Sequence, residues 1–256
     1  MSNLVGVKWF YGNWFVDWVA KLYTHSVGRL TFAAADHVVG QGEYVRDGLV
    51  RFASEGKTSV IPTGIDLDHY SPDATEPADF DREDVVELVY VGRLDPVKGV
   101  DNLLEAVAEL DAREGRTYHL TLVGDGTKRG DYERFVAERG IAGNVTFAGY
   151  QDDVRPFLIA ADVFVLAVGG GTTGGDTGGT SVRDAGREHR RGRRLGSGSR
   201  RRVVRPNDPT ALADGIESLA GTDLAERGRI AREYMIDGFD IESMMAGYTA
   251  ILDGDH

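Results

Sequence analysis

The residues best placed to do chemistry lie in one run, Val89-Tyr90-Val91-Gly92-Arg93-Leu94-Asp95-Pro96-Val97-Lys98-Gly99-Val100-Asp101-Asn102-Leu103-Leu104-Glu105-Ala106. An apolar, β-favouring stretch ends abruptly in Gly92-Arg93. A short loop with Pro96 and Lys98 follows. Val100, Leu103, Leu104, Val107 and Leu110 then recur at helical spacing. Strand, basic loop and helix start together make the arrangement that binds phosphate in open α/β sheets. Arg93 can fork onto phosphate oxygens and Lys98 can add a point charge. On spacing alone, both could equally be solvated loop cations.

The elements that must position this loop are legible on either side of it. Strands are expected near Val85–Val91, Tyr118–Val123, Asn144–Ala148 and Asp162–Ala167. Helices are expected near Val100–Glu114, Lys128–Arg139 and Asp152–Ala160, with Gly115 and Gly140 at helix C-termini. Strands alternating with helices imply a parallel sheet covered on both faces, a doubly wound α/β fold. Upstream, residues 1 to about 65 read as helix, strand (His37–Gly40), helix, strand (Thr58–Ile61). Downstream, Asp208-Pro209 opens a helix carrying Leu212, Ile216 and Leu219, and a last helix runs from about Ile241 to Leu252.

The wording of these segments resembles the family 4 glycosyltransferases, retaining enzymes of the GT-B fold. The donor-phosphate loop of such enzymes reads strand, Gly-Arg, a few residues, Lys-Gly, then a helix with Leu-Leu-x-Ala. Ser59-Val60-Ile61-Pro62-Thr63-Gly64-Ile65-Asp66 with Tyr70-Ser71-Pro72 is similar to the crossing between their two domains. Leu120-Thr121-Leu122-Val123-Gly124-Asp125-Gly126, Asn144 to Tyr150 and Ala160 to Leu166 are similar to the strands that follow. The resemblance implies residues 1–65 as a remnant of the N-terminal Rossmann-like acceptor domain. It implies 66–238 as the C-terminal nucleotide-sugar-binding domain and 239–256 as a C-terminal helix. It places Gly92, Arg93 and Lys98 on the donor diphosphate, and Gly149 and Tyr150 beside the nucleotide. The implied reaction transfers a hexose from a nucleotide-diphosphate sugar to a glycan or lipid-linked sugar. No cofactor and no metal are expected. The alternatives are an inactive remnant or a non-catalytic nucleotide-binding module.

One stretch departs from the pattern. Residues 169–202 hold 11 Gly, 9 Arg and three hydrophobic residues, Val182, Ala185 and Leu195. Their net charge is +6 in a chain of −12. Such composition predicts an irregular, exposed segment and a gap in the sheet after Leu166. A Gly/Arg-rich arm can bind single-stranded RNA, but usually with interleaved aromatics, and none occurs here. The acidic remainder also argues against a nucleic-acid partner. Shifting the codons of Val182–Arg200 by one base admits a helix start and an apolar Ala-Val-Val-Ala strand. This suggests a frameshifted segment. The family carries two sugar- and ribose-holding glutamates here. Glu188 is the only Glu of the segment and its neighbours do not match. Catalytic residues are therefore unassigned, and impaired transfer is expected.

The rest of the composition sets bounds. The chain has 256 residues, no Cys, 24 Arg and 5 Lys. Disulfides and thiolate metal sites are excluded. None of the six His is paired with another at metal-ligand spacing. Asp152-Asp153 suits a helix N-terminus better than a metal. An acidic, Lys-poor surface suits a high-salt cytoplasm, so a halophilic source and a cytoplasmic location are expected. The missing first half of the family pattern and the absence of a leader signature are read as truncation and lack of secretion. Trp9, Phe10, Trp14, Phe15, Trp18 and Val19 form an aromatic cluster too short to span a bilayer. It suits a core or interdomain helix face, or a peripheral membrane contact.

Overall fold

The computed structural model describes residues 18–19, 22–50, 52–80, 84–166, 180–183, 202–204, 207–236 and 239–254. A first small unit pairs β1 (Val38–Gly40) with β2 (Thr58–Val60) in parallel. A π-turn (Thr24–Gly28) leads into α1 (Arg29–Ala34), and α2 (Glu43–Leu49) links the two strands. Val38, Leu49 and Ala53 are buried together, flanked by Phe32, Ala35 and Val45. Trp18 and Val19 are exposed, so the core reading does not hold at these two positions. The other aromatics of that cluster lie outside the described residues. No helix among the described residues is long and apolar enough to cross a membrane.

Among the described residues the main sheet has six strands, in the order β5-β4-β3-β6-β7-β8, with β7 at Thr180–Arg183 and β8 at Arg202–Val204. Its parallel part comprises β3 (Val85–Val91), β4 (Thr117–Val123), β5 (Val145–Gly149) and β6 (Val163–Leu166). The connecting helices are α3 (Val100–Asp111), α4 (Arg129–Glu138) and α5 (Arg155–Ala160). Helices α6 (Pro209–Ala220), α7 (Leu224–Ile236) and α8 (Ile241–Asp253) complete the chain. The pleat sends alternate residues to opposite faces. Leu88, Tyr90, Leu120 and Leu122 therefore meet Leu103, Leu104, Val107 and Leu110 of α3, Tyr132 and Val136 of α4, and Leu212 and Ile216 of α6 in one core. Burying one such Leu or Val side chain stabilises by about 1.5–3 kcal/mol, so this core anchors the loops at the strand ends. Helix α6 starts as its Asp-Pro pair implies, with the Asp208 carboxylate accepting from the Ala211 N–H at 2.9 Å. Helix α3 ends three residues before the expected Glu114, and the chain turns before Gly115.

The sheet does not stop at β6, which corrects the expectation for 169–202. Strand β7 (Thr180–Arg183) pairs antiparallel with β6, and β8 (Arg202–Val204) pairs antiparallel with β7. The composition argument weighed side chains only. The open edge of β6 presents unpaired backbone N–H and C=O groups, and any segment with an extended backbone can satisfy them. Thr180-Ser181-Val182 and Arg202-Val203-Val204 are the most β-favouring triplets available. The gap expected beside β6 is thus filled, and Val163 and Val165 are fully buried. The rest of the Gly/Arg-rich stretch, with Glu188, lies outside the described residues.

The segment from Ile65 to Tyr70 is held by three parts of the chain. Ile65 bridges Asp240: its N–H donates to Phe239 O at 2.8 Å, and its carbonyl accepts from Ile241 at 3.2 Å. Arg155 donates to the His69 carbonyl at 3.3 Å, and Arg232 donates to the carbonyls of Tyr70 and Leu67. Asp153 receives the Arg155 backbone N–H at 3.0 Å and its guanidinium at 2.7 and 2.8 Å. The carboxylate expected at this helix start therefore serves both the helix and the arginine.

Candidate functional site

The strand order reverses between β3 and β6, because β4 and β5 lie to one side of β3 and β6 to the other. In open α/β sheets the ligand crevice lies outside the carboxyl ends of the strands at such a switch point. The carboxyl end of β3 is Val91-Gly92-Arg93, the run singled out in the sequence. From there the chain passes through a 3-10 turn (Pro96–Lys98) and enters α3 at Val100. The N-terminus of α3 therefore meets the same edge, bringing its first-turn N–H groups, of which Asn102 N–H is taken by Gly99 O, and its positive dipole end.

Leu94, fully buried, anchors the middle of the loop and leaves Arg93 and Lys98 exposed on either side. The Arg93 side chain is 77% exposed and pairs with Asp95 at 2.6 Å through one terminal nitrogen. Its other N–H groups are not used by that pair. Asp95 also accepts from the Thr127 backbone N–H at 3.3 Å and from the Thr127 hydroxyl at 3.1 Å. The Thr127 donors and the Arg93 guanidinium hold the Asp95 carboxyl below the usual carboxylate range. The buried Tyr90 donates its hydroxyl to the Arg93 carbonyl at 3.1 Å. Burial and the Asp95 charge push that phenol up to about 12, so it stays a donor.

The loop after β3 is pressed against the turn after β4. Gly92 N donates to Val123 O at 3.0 Å, Leu94 N to Asp125 O at 3.0 Å, and Lys128 N to Leu94 O at 2.9 Å. Gly124 adopts φ +137°, and a Cβ there would lie 2.0 Å from the Gly92 carbonyl oxygen. A Cβ on Gly126 would lie 2.5 Å from Leu94 O. Gly124 N in turn donates to Gly149 O at 2.7 Å. Gly92 and Gly149 are thus brought onto one edge through β4. Arg93 and Lys98 share one loop, and Gly149 and Tyr150 sit two strands away from it. Tyr150 is 74% exposed.

The sequence reading missed the Asp95–Thr127 latch and Arg129. Arg129 opens α4, and its Nη1 would lie 3.4 Å from a Cβ placed on Gly149. Among the described residues no group of three or more His, Asp or Glu could hold a metal ion. His119 is a core histidine: its Nδ1 lies 3.2 Å from the buried Glu87 and its Nε2 lies 3.1 Å from Thr146 Oγ1.

The latch has an expected pH signature. A depressed Asp95 pKa contributes stability that is fully present above the ordinary Asp value near 4. That contribution is lost as pH falls through the lowered folded value. Replacing Asp95 by Asn removes it, so melting temperature should fall less steeply below about pH 4 in D95N than in the parent protein. Parallel acid limbs in the two proteins would show that the latch does not couple to folding.

Residues 86–177 match the family model described as "Glycosyl transferases group 1". Over 84 residues the chain is 42% identical to the lipopolysaccharide core biosynthesis glycosyltransferase LpsE of Rhizobium meliloti (strain 1021), covering 33% of this chain and 23% of that protein. Over 151 residues it is 33% identical to D-inositol 3-phosphate glycosyltransferase 2 of Catenulispora acidiphila, covering 52% of this chain and 35% of that one. The matched part thus spans about a quarter to a third of these relatives. Among solved structures, a glycosyltransferase from Rickettsia africae superposes with TM-score 0.68 at 20% identity, covering 88% of this chain and 66% of its own. Anabaena Alr3699/HepE in complex with UDP superposes with TM-score 0.65 at 17% identity, covering 88% and 65%. The α/β fold is that of GT-B glycosyltransferases.

Proposed function

We propose that this chain is the donor-binding portion of a family 4 retaining glycosyltransferase, taking a nucleotide-diphosphate sugar and passing its hexose to a glycan or lipid-linked sugar. The observation that carries this reading is Gly92-Arg93 at the carboxyl end of β3, beside the strand-order reversal and the N-terminus of α3. Arg93, Lys98 and the helix end would stabilise negative charge as the diphosphate leaves, an electrostatic role. Gly149 and Tyr150 would border the nucleoside. Support comes from the group 1 family match over this segment and from the UDP held by the similarly folded Anabaena protein. The names of the relatives also favour sugar transfer as the reaction class. The acidic, lysine-poor surface fits a salt-rich cytoplasm, and the exposed Trp18, Leu22 and Tyr23 fit peripheral contact with a membrane.

The second reading, a module that binds nucleotide without transferring sugar, is favoured by one observation. Residues 169–202 offer a single glutamate, Glu188, where family resemblance asks for a pair. A frameshift within a once-active gene explains that composition. The expected result is measurable binding of UDP or another nucleoside diphosphate, with trace turnover or none. Calorimetry and a radiolabelled assay over common nucleotide-sugars test the two parts separately. Saturable turnover would overturn the impairment, and absence of any nucleotide binding would overturn the donor site.

A further inference from the structure

Arg129 is the first residue of α4, and its place there is not that of an ordinary solvated helix cation. Its Nε donates to Glu133 at 2.8 Å and its Nη1 to Asp125 at 3.4 Å. These two carboxylates, one on the helix and one on the turn after β4, hold the guanidinium in the angle between them. The side chain is only 35% exposed. Nη1 lies over the end of β5, where a methyl group on Gly149 would touch it at 3.4 Å. Neither ion pair uses Nη2. Gly149 O is taken by Gly124 N, and the next side chain, Tyr150, stands 74% exposed. The end of β5 therefore offers a flat aromatic surface and, over the adjacent glycine, a fixed guanidinium with an uncommitted donor.

We infer that Arg129 selects the nucleobase of the donor, favouring a base that presents a carbonyl oxygen over one that presents an amino group at the same position. This rests on the reading above, which lays a nucleotide along the carboxyl edge. The diphosphate would sit at β3 and the base at β5, two strand spacings or about 10 Å away. Arginine carries five N–H donors and no acceptor. It can satisfy the O4 of uracil but meets the N4 amino group of cytosine donor to donor. Uracil and cytosine share shape, stacking surface and the O2 acceptor and differ at position 4 and at N3, so a guanidinium set against position 4 favours uracil, whereas one set against N3 would favour cytosine.

Calorimetry with UDP and CDP on the full chain tests the inference, using Arg129→Gln and Arg129→Leu beside the parent and Arg93→Ala. The parent should bind UDP at least about tenfold more tightly than CDP, the scale of one charge-assisted hydrogen bond. A glutamine amide can turn either its oxygen or its nitrogen to the base, so R129Q should bring the ratio close to one. R129L should lose the preference by weakening UDP alone. A UDP to CDP ratio unchanged in R129Q and R129L, with binding still dependent on Arg93, would overturn this inference and leave the donor site standing. No binding of either nucleotide by the parent would overturn both. Arg129 lies on the surface, and unchanged melting temperatures in its variants would assign the effects to binding.

Discussion

Arg93→Ala is expected to weaken nucleoside diphosphate binding by roughly 1–3 kcal/mol, about 5- to 150-fold in Kd, while leaving the fold intact. The two halves of that expectation have separate causes. Arg93 is exposed and its partner Asp95 is secured independently by Thr127, so losing the Arg93–Asp95 pair costs the protein little. A bound diphosphate would instead lose a planar donor that can meet two oxygens at once. Lys98→Ala should cost less, because its ammonium is strongly hydrated and acts as a point charge. Calorimetry with UDP and a thermal melt decide it. Unchanged affinity in R93A would remove Arg93 from the site, and a large fall in melting temperature would make its role structural.

The parts of this molecule that were legible in sequence are those where local pattern and tertiary burial agree. Val85–Val91 and Thr117–Val123 are mostly apolar because the strands are covered, with Glu87, His119 and Thr121 buried among them, and α3 repeats its buried residues at helical spacing because one face meets the sheet. The abrupt end of the β3 run in Gly-Arg located the candidate loop for the same reason. The continuous burial of the strand ends there, and only Leu94 of the next few side chains returns to the core, so polar residues begin. Other features have no such local signal. The Asp95–Thr127 bonds join residues 32 positions apart, and nothing in either neighbourhood announces the other. Arg129 reads as a helix surface cation with an acidic partner four residues on; only the fold brings Gly149 to it. Strands β7 and β8 escaped because their pairing is a backbone matter, and composition reports side chains. Gly124-Asp125-Gly126 reads as a turn, which it is, but the sequence does not say that another loop lies against it.

That contact sets the second large effect. Gly124→Ala is expected to destabilise the protein by roughly 3–6 kcal/mol, from strain and lost hydrogen bonds together. The backbone at φ +137° is open to glycine and closed to alanine. The added Cβ would lie 2.0 Å from the Gly92 carbonyl oxygen, an overlap that no rotamer can relieve because both partners are backbone. Relief requires the two loops to part. Parting them breaks the bonds from Gly92 N to Val123 O and from Gly124 N to Gly149 O, which tie three strand ends together. Such a loss is a large share of the roughly 5–15 kcal/mol that holds a domain folded. It also moves Gly92 and Gly149 apart, so any nucleotide affinity should fall in the same variant. Gly228→Ala is the control of opposite sign. Gly228 lies within α7 with nothing within 4 Å of an added Cβ, so alanine there should stabilise by about 0.5–1 kcal/mol. Denaturant titrations of the three proteins measure both values. If G124A unfolds at the same midpoint as the parent, the loops after β3 and β4 are not in contact, and the edge that gathers Gly92, Arg93 and Gly149 does not exist as described.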